Sequence, residues 1–255
     1  VDQHPDLELK LKGLKEWIKG LWSPVGTGFS GGLDSSFLLA ALLRWSDVPV
    51  SAFTVISPLI SSFQRDIIEE TSDELGIKPH YIEWNALNDE TVCSNNELRC
   101  YFCKKKMYSL MLEAAGEKGA GNLLDGTQAD DLYSDRPGLR ALRELGIKTP
   151  LAEIGINKDE IRSALRQWGY SFWGRDAESC MATRVSRNNE ISKENLIIIE
   201  KLEDFFRLKR INLKKIRIIK KSVYIFLESR ENECLKMDFG EIERIDERFT
   251  FFLKN

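Results

Sequence analysis

The sequence predicts an α/β domain built on a parallel sheet, followed by a small α+β C-terminal domain. Strand-like and helix-like segments alternate through the first 170 residues, and that rhythm requires crossover connections between parallel strands. A glycine-rich turn, Gly28-Phe29-Ser30-Gly31-Gly32-Leu33-Asp34-Ser35-Ser36, stands between an apolar strand and an apolar helix, where parallel sheets bind their ligands. A polar break at Arg187–Glu190 and a change of composition after about residue 185 divide the chain into domains over 1–185 and 186–255.

In the first domain, strands are expected at Val25–Phe29, Val50–Ser57, His80–Trp84 and Asn122–Gly126. Helices are expected at Leu7–Leu21, Ser35–Trp45, Ser62–Leu75, Lys104–Lys118 and Lys158–Trp168. Gly76 stops the third helix, Gly119 and Gly121 follow the fourth, and Asn157 caps the fifth. Ile67, Ile68, Thr71 and Leu75 repeat at close to helical spacing. In the second domain, Ser192 and Asn195 open a helix over Glu194–Leu208, and Lys215–Ile219 and Val223–Leu227 read as strands around a Lys-Lys-Ser turn. The last segment, Ile242–Leu253, fits either helix or strand. There is no internal repeat and no low-complexity tract.

A chain of 255 residues has ample material for a core, and 42% apolar with 30% charged residues is ordinary soluble composition. No apolar run reaches membrane-spanning length and no signal peptide opens the chain, so a cytoplasmic protein with no membrane partner is expected. The net charge of −3 speaks against a nucleic-acid partner. Five cysteines, at 93, 100, 103, 180 and 234, are an odd number and argue against a disulfide framework. Metal binding, sulfur chemistry or plain burial remain.

Within the turn, Gly31 and Gly32 let backbone N–H groups face inward while the next helix offers its positive end. Such a nest suits phosphate oxygens. The plainer alternative is a helix start capped by Asp34 or Ser35. The Gly-Lys-Ser/Thr ending of a Walker A loop is absent. Ser-Gly-Gly-x-Asp-Ser resembles instead the pyrophosphate loop, or PP-loop, of the N-type ATP pyrophosphatases, which adenylylate a substrate oxygen and release pyrophosphate. Ser30, Gly31, Gly32, Asp34 and Ser35 are then expected to bind the β- and γ-phosphates of ATP, with Mg²⁺ offsetting their charge. Ser57 is expected near the adenosine, and Asp125 and Gly126 end a strand at the same sheet edge.

Arg99-Cys100-Tyr101-Phe102-Cys103-Lys104-Lys105 sets a CxxC at a basic helix start. Alone, it is compatible with a zinc half-site, iron–sulfur ligands, a redox dithiol or coincidence. Cys180, within Glu178-Ser179-Cys180-Met181-Ala182-Thr183-Arg184, is alone most simply a small buried residue. These segments come with Thr54–Leu59, Asp125–Asp131, Asp135–Ala141, Pro150–Glu153 and Lys158–Arg162. Together, over about residues 20–185, the chain resembles the LarE family of ATP-dependent sulfur transferases that serve nickel-pincer nucleotide synthesis.

That resemblance implies one of two sulfur donors. Either a cysteine at the position of Cys180 gives up its own sulfur, or three cysteines hold a [4Fe-4S] cluster whose fourth iron binds a sulfide. Cys100, Cys103 and Cys180 match the three-cysteine pattern. The implied substrate is pyridinium-3,5-biscarboxylic acid mononucleotide, a small nucleotide-like carboxylate; a separate sulfide donor and a homo-oligomer are implied too. Arg184, four residues past Cys180, and Arg136, in an Arg-Pro-Gly turn, are candidates for contacting substrate carboxylate or phosphate. Lys214, Lys215 and Arg217 could supply a basic pocket or simply form an exposed charged strand. Asp130 and Asp131 read as polar contacts, metal ligands or a solvated turn, while Cys93 and Cys234 match nothing.

Two departures lie toward the substrate side. Val185-Ser186-Arg187-Asn188-Asn189 stands where the family has Pro-Tyr-Gly, and Ile219-Lys220-Lys221-Ser222 replaces a His-Gly-Asp-like turn. A tRNA thiolation enzyme with the same loop and cysteines is the nearest alternative. An ammonia-using amide synthetase and a nucleotide-sensing or metal-storage protein without turnover are more distant ones.

Overall fold

Four short parallel strands, β1 (Val25–Gly28), β2 (Val50–Ile56), β3 (His80–Glu83) and β4 (Asn122–Leu124), form a sheet in the order β3-β2-β1-β4. The computed structural model describes residues 5–133, 137–175, 179–228 and 239–254. They fall into two units, one within Val1–Ile56, Phe63–Trp84 and Cys100–Glu178, the other within Ser57–Ser62, Asn85–Arg99 and Ser179–Asn255. The parallel α/β unit and the smaller mixed unit are the two classes that the sequence predicts. No helix among the described residues is long and apolar enough to cross a membrane.

β1, β2 and β4 are buried over most of their length because both faces of the sheet are covered there, while the edge strand β3 alternates between half-buried and exposed residues. Leu123 and Leu124, adjacent on β4, enter different core clusters, as the period-two alternation of a strand requires. Leu124 and Val25 pack with α1 (Pro5–Lys19), α2 (Leu33–Trp45) and α8 (Lys158–Gln167), through Leu14, Ile18, Phe37, Leu38, Ile161 and Leu165. Leu123, Phe53 and Val55 pack with Tyr108, Met111 and Ala115 of α5 (Arg99–Glu117) and with Leu142 of α6 (Pro137–Glu144). α3 (Ser62–Leu75) adds Ile68 to a smaller cluster with Phe29, Leu39 and Ala52.

Predicted and observed elements agree to within a few residues, except around α5. That helix begins at Arg99, five residues before the expected start, and so contains both cysteines of the CxxC. The sequence reading also lacks α4 (Glu90–Cys93), α6 and α7 (Pro150–Ile154). These are one- or two-turn helices, too short to display a periodic pattern. α8 has the expected Asn157 cap, completed by Glu160 as a reciprocal capping box.

The second unit holds α9 (Lys193–Lys209), the antiparallel pair β5 (Leu213–Ile219) and β6 (Ser222–Leu227), α10 (Phe239–Glu243) and β7 (Thr250–Lys254), which joins β6 in parallel. The ambiguous last segment is thus both helix and strand. Ile216, Ile218, Val223 and Ile225 are buried, while Lys215 and Arg217, which alternate with the first two, are exposed.

α5 and α6 are tied by a polar knot around Glu144. Its carboxylate accepts from Tyr101 Oη at 2.6 Å, Lys105 Nζ at 2.7 Å and Arg140 Nε at 2.9 Å. The hydrogen bonds from Lys105, Tyr101 and Arg140 hold the Glu144 carboxyl down to about 2, from an ordinary 4.5. A depressed folded value means that the knot's stabilisation is complete above pH 4.5 and is lost as the pH falls toward 2. In acid denaturation followed by circular dichroism, Glu144→Gln is therefore expected to be less stable than the parent at neutral pH, with the gap closing between pH 4.5 and about 2. A gap constant across that range would contradict this account.

Candidate active site

The strand order reverses at β1: β2 and β3 extend to one side and β4 lies on the other. The carboxyl end of β1 is therefore the switch point of the sheet, where loops diverge and leave a crevice. Residues 29–32 leave β1 here and residues 125–128 leave β4.

The first loop is fixed by its backbone. Phe29 N–H donates to the Phe53 carbonyl at 2.8 Å, and the Thr54 hydroxyl donates to the Phe29 carbonyl at 2.7 Å. Gly31 has φ of +69°, and a Cβ there would stand 2.9 Å from Ile68 Cα; both conditions demand glycine. Gln64 Nε2 donates to the Ser30 carbonyl at 2.7 Å. The Ser30 and Ser35 hydroxyls lie 3.1 Å apart, and Ser35 Oγ donates to the Gly32 carbonyl at 3.1 Å.

The N-cap of α2 is Gly32, in extended backbone with no side-chain cap bond. Asp34 and Ser35 sit inside the first turn, so neither is the N-cap that the plainer sequence reading required. The N–H groups of Leu33, Asp34 and Ser35 have no acceptor within the helix, and the helix dipole adds positive potential where they point. Amide donors and two hydroxyls with no loop lysine suit the oxygens of a polyphosphate.

In the second loop, the buried Asp125 carboxylate is held from both sides. Oδ1 accepts the Thr127 N–H at 2.7 Å and the Thr127 hydroxyl; Oδ2 accepts the Tyr108 hydroxyl and pairs with Lys104 Nζ at 3.0 Å. Burial pushes this carboxyl up, but the charge of Lys104 and the three side-chain hydrogen bonds outweigh it and leave the group below its ordinary value. Burial and the neighbouring carboxylate push the Tyr108 phenol well above its own. A Cβ on Gly126 would come within 2.8 Å of Ser35 Cα and N, so the two loops touch backbone to backbone.

Asp130 and Asp131 both bond backbone amides, one at the start of α8 and one in their own loop. Asp130 Oδ2 accepts Lys158 N–H at the start of α8 (3.1 Å), and Asp131 Oδ2 accepts Gln128 N–H at 3.4 Å. Ser57 follows β2, is buried in the second unit, and accepts Leu59 N–H at 3.2 Å. Arg136 and Cys234 lie outside the described residues.

Cys100 and Cys103 occupy the first turn of α5, three positions apart and half-buried. Side chains at this spacing share a helix face, so the pair fits two thiolate positions on one metal or cluster. Cys103 Sγ is 3.7 Å from Met107 Sδ. No group of three His, Cys, Asp or Glu side chains placed to hold a metal ion occurs among the described residues. Cys93 is buried, its thiol donating to the Leu87 carbonyl at 3.2 Å, and burial pushes it up.

In the second unit, Cys180 is the exposed N-cap of a 3-10 turn, Met181–Arg184. Three guanidinium groups hold this turn by its carbonyls. Arg184 Nη1 donates to the Ser179 and Cys180 carbonyls, and its Nε to Glu203 Oε1 at 2.7 Å. Arg217 donates to the Thr183 carbonyl, and Arg99 Nη1 donates to the Ala182 carbonyl at 2.9 Å and to Asn95 Oδ1 at 2.5 Å. Lys215 Nζ lies over the Phe226 ring, 4.7 Å from its centroid.

Sequence reasoning missed Lys104, Tyr108, Gln64, Asn95 and Arg99. Cys100, Lys104 and Tyr108 form an i, i+4, i+8 stripe that becomes visible once the helix is begun at Arg99.

Residues 23–134 match the asparagine synthase family model. An uncharacterized protein of Methanocaldococcus jannaschii is 33% identical over 202 residues, 78% of this chain and 75% of its own. An uncharacterized protein of Synechocystis sp. is 27% identical over 247 residues, 96% of this chain and 92% of its own. The pyridinium-3,5-bisthiocarboxylic acid mononucleotide synthase of Lactiplantibacillus plantarum is 27% identical over 187 residues, 72% of this chain and 67% of its own.

Two substitutions test the geometry. Gly126→Ala forces a methyl group into the Ser35 backbone, and is expected to weaken Mg-ATP binding at least about tenfold in calorimetry with the far-ultraviolet spectrum unchanged; unaltered affinity would separate the two loops. Arg99→Met removes the buried guanidinium donor from Asn95 Oδ1 and leaves the Ala182 carbonyl to the Val185 N–H at 3.3 Å, and is expected to cost about 1–3 kcal/mol in urea denaturation.

Proposed function

The chain belongs to the family of the Methanocaldococcus jannaschii protein and carries a PP-loop ATP-pyrophosphatase domain of the asparagine-synthase type, and we propose that it is an ATP-dependent sulfur transferase making a thiocarboxylate. The observation that carries the ATP half is the glycine-shaped loop at the carboxyl end of β1, with Gly31 packed on Ile68 and a helix N-terminus behind it. The sulfur half is supported by the Cys100–Cys103 pair on α5, the exposed Cys180, and the likeness to the Lactiplantibacillus plantarum synthase. The proposed acceptor is pyridinium-3,5-biscarboxylic acid mononucleotide.

In this reading the α2 amides and the Ser30 and Ser35 hydroxyls hold the β- and γ-phosphates, with Mg²⁺ offsetting their charge. A substrate carboxylate oxygen attacks the α-phosphorus, the α–β bond breaks, and pyrophosphate leaves with the bonding electrons. Sulfide then attacks the acyl carbon and AMP departs, leaving a thiocarboxylate. Adenylylation is needed because a carboxylate oxygen is a poor leaving group and AMP a good one. Cys100, Cys103 and Cys180 are the proposed thiolate donors to a [4Fe-4S] group, which when bound supplies an iron position open to sulfide. Arg136, Arg184, Lys215 and Arg217 are the proposed cations for substrate phosphate and carboxylate.

The test is anaerobic incubation with ATP, Mg²⁺ and the biscarboxylate, measuring pyrophosphate and thiocarboxylate beside iron and acid-labile sulfide. About four irons per chain, lost in Cys100→Ala, are expected. Cys180→Ser is expected to release pyrophosphate yet form no thiocarboxylate. An iron-free chain that forms one thiocarboxylate per Cys180 would make that cysteine the sacrificial donor, and no substrate-dependent pyrophosphate would sink the reading altogether.

A further inference from the structure

We propose that Lys104 is a positioning residue that fixes the Cys100–Cys103 pair against the pyrophosphate loop, so that nucleotide in the loop is felt at the thiols. The inference rests on the sulfur-transferase reading only for what the thiols do; its geometry lies wholly within the first unit.

Lys104 directly follows Cys103 and stands one helical turn beyond Cys100. Its ammonium is 3.0 Å from Asp125 Oδ2 and 5.7 Å from the centre of the Tyr108 ring. Asp125 cannot follow a moving lysine, since Thr127 holds Oδ1 and Tyr108 shares Oδ2. The next residue, Gly126, rests on the Ser35 backbone, and Ser35 belongs to the loop. On its other side the lysine stem is pressed by α6, where a Cβ on Gly138 would approach Lys104 Cδ to 3.1 Å. From Ser35 to the thiol turn there are thus only three links, all tight: a backbone contact, a pinned carboxylate and an ion pair. Any shift of Ser35 on binding phosphate must be absorbed along them, and packed contacts of this kind transmit small displacements rather than soften them.

The ordinary role of a surface lysine does not account for this placement. Lys104 is the sixth residue of α5, past the first turn where the helix dipole acts, and turned to solvent it would leave Asp125 to Tyr108 and Thr127. Lys104 is instead drawn inward to a group whose position is set by the loop.

The test uses α,β-methylene-ATP with Mg²⁺ as the probe, which occupies the loop without adenylyl transfer. Labelling of Cys100 and Cys103 by N-ethylmaleimide is followed by peptide mass spectrometry in the full chain, after removal of any iron. The parent is expected to change its labelling rate at least about fivefold on nucleotide binding. Lys104→Met should bind the analogue within about threefold of the parent but lose that dependence, and Lys104→Arg should restore most of it. Nucleotide dependence that persists in Lys104→Met overturns the proposal. So does a parent that binds the analogue without any change at its thiols, or a Lys104→Met variant in which binding and fold fail together. A parent that does not bind the analogue removes the pyrophosphate-loop reading itself, a result distinguishable from all of these.

Discussion

An ionised carboxylate kept away from water is the constraint around which the first unit is arranged. Asp125 is nearly inaccessible, and such a group stays charged only if its neighbours replace the lost hydration. Thr127, Tyr108 and Lys104 do so from three directions. Each donor in turn fixes an element: Thr127 the turn after β4, Tyr108 the middle of α5, Lys104 its first turns. The consequence reaches β1, since a side chain at Gly28 would stand 2.6 Å from the Tyr108 hydroxyl. Glycine in that strand is therefore a condition for bringing α5 close enough to serve Asp125.

Much of this first unit was legible because its signals are local. The strands are apolar runs, the helices end at glycines, and the Ser-Gly-Gly-Leu-Asp-Ser turn sits between them where a parallel sheet must bend. The start of α5 was not legible. Cys100-Tyr101-Phe102-Cys103 holds residues of middling helix propensity, and the cap-like bond lies upstream of the helix start, where Asn96 Oδ1 accepts Leu98 N–H at 2.8 Å. Starting the helix at Lys104 hid the stripe that joins a cysteine, the lysine and the tyrosine. Membership of the second unit was hidden for another reason. Asn95 reaches the carbonyls of Val185, Ser186 and Asn189 with one amide group, a long-range pairing that no periodicity announces.

The second unit gives its arginines a use that charge alone does not suggest. A guanidinium carries five donors in a rigid fork, and those of Arg99, Arg184 and Arg217 spend bonds on the carbonyls of Ser179, Cys180, Ala182 and Thr183. A one-turn 3-10 helix has little stability of its own, so an exposed thiol at its N-cap would otherwise sample many directions. The nearness of Arg184 to Cys180 in sequence suggests substrate contact; the hydrogen bonds give the same nearness the work of holding the turn. A single guanidinium can do both only with the donors that the turn and Glu203 leave over.

The absence of a lysine in the pyrophosphate loop bears on which bond of ATP is broken. In a Walker A loop the lysine follows the γ-phosphate as charge develops there. Here the donors are neutral amides and hydroxyls around a helix N-terminus, which on the proposed reading would hold a polyphosphate without favouring charge growth at its far end. Such a cradle suits a leaving group that departs whole. Pyrophosphate released by attack at the α-phosphorus gains charge on the oxygen that bridged the α- and β-phosphates, and amides already aligned on the departing phosphates need no reorganisation to receive it. The rigidity that Gly31, Gln64 and Thr54 impose on the loop is then part of the chemistry, since donors that must first be ordered would stabilise the bound nucleotide and its products alike but not the transition between them.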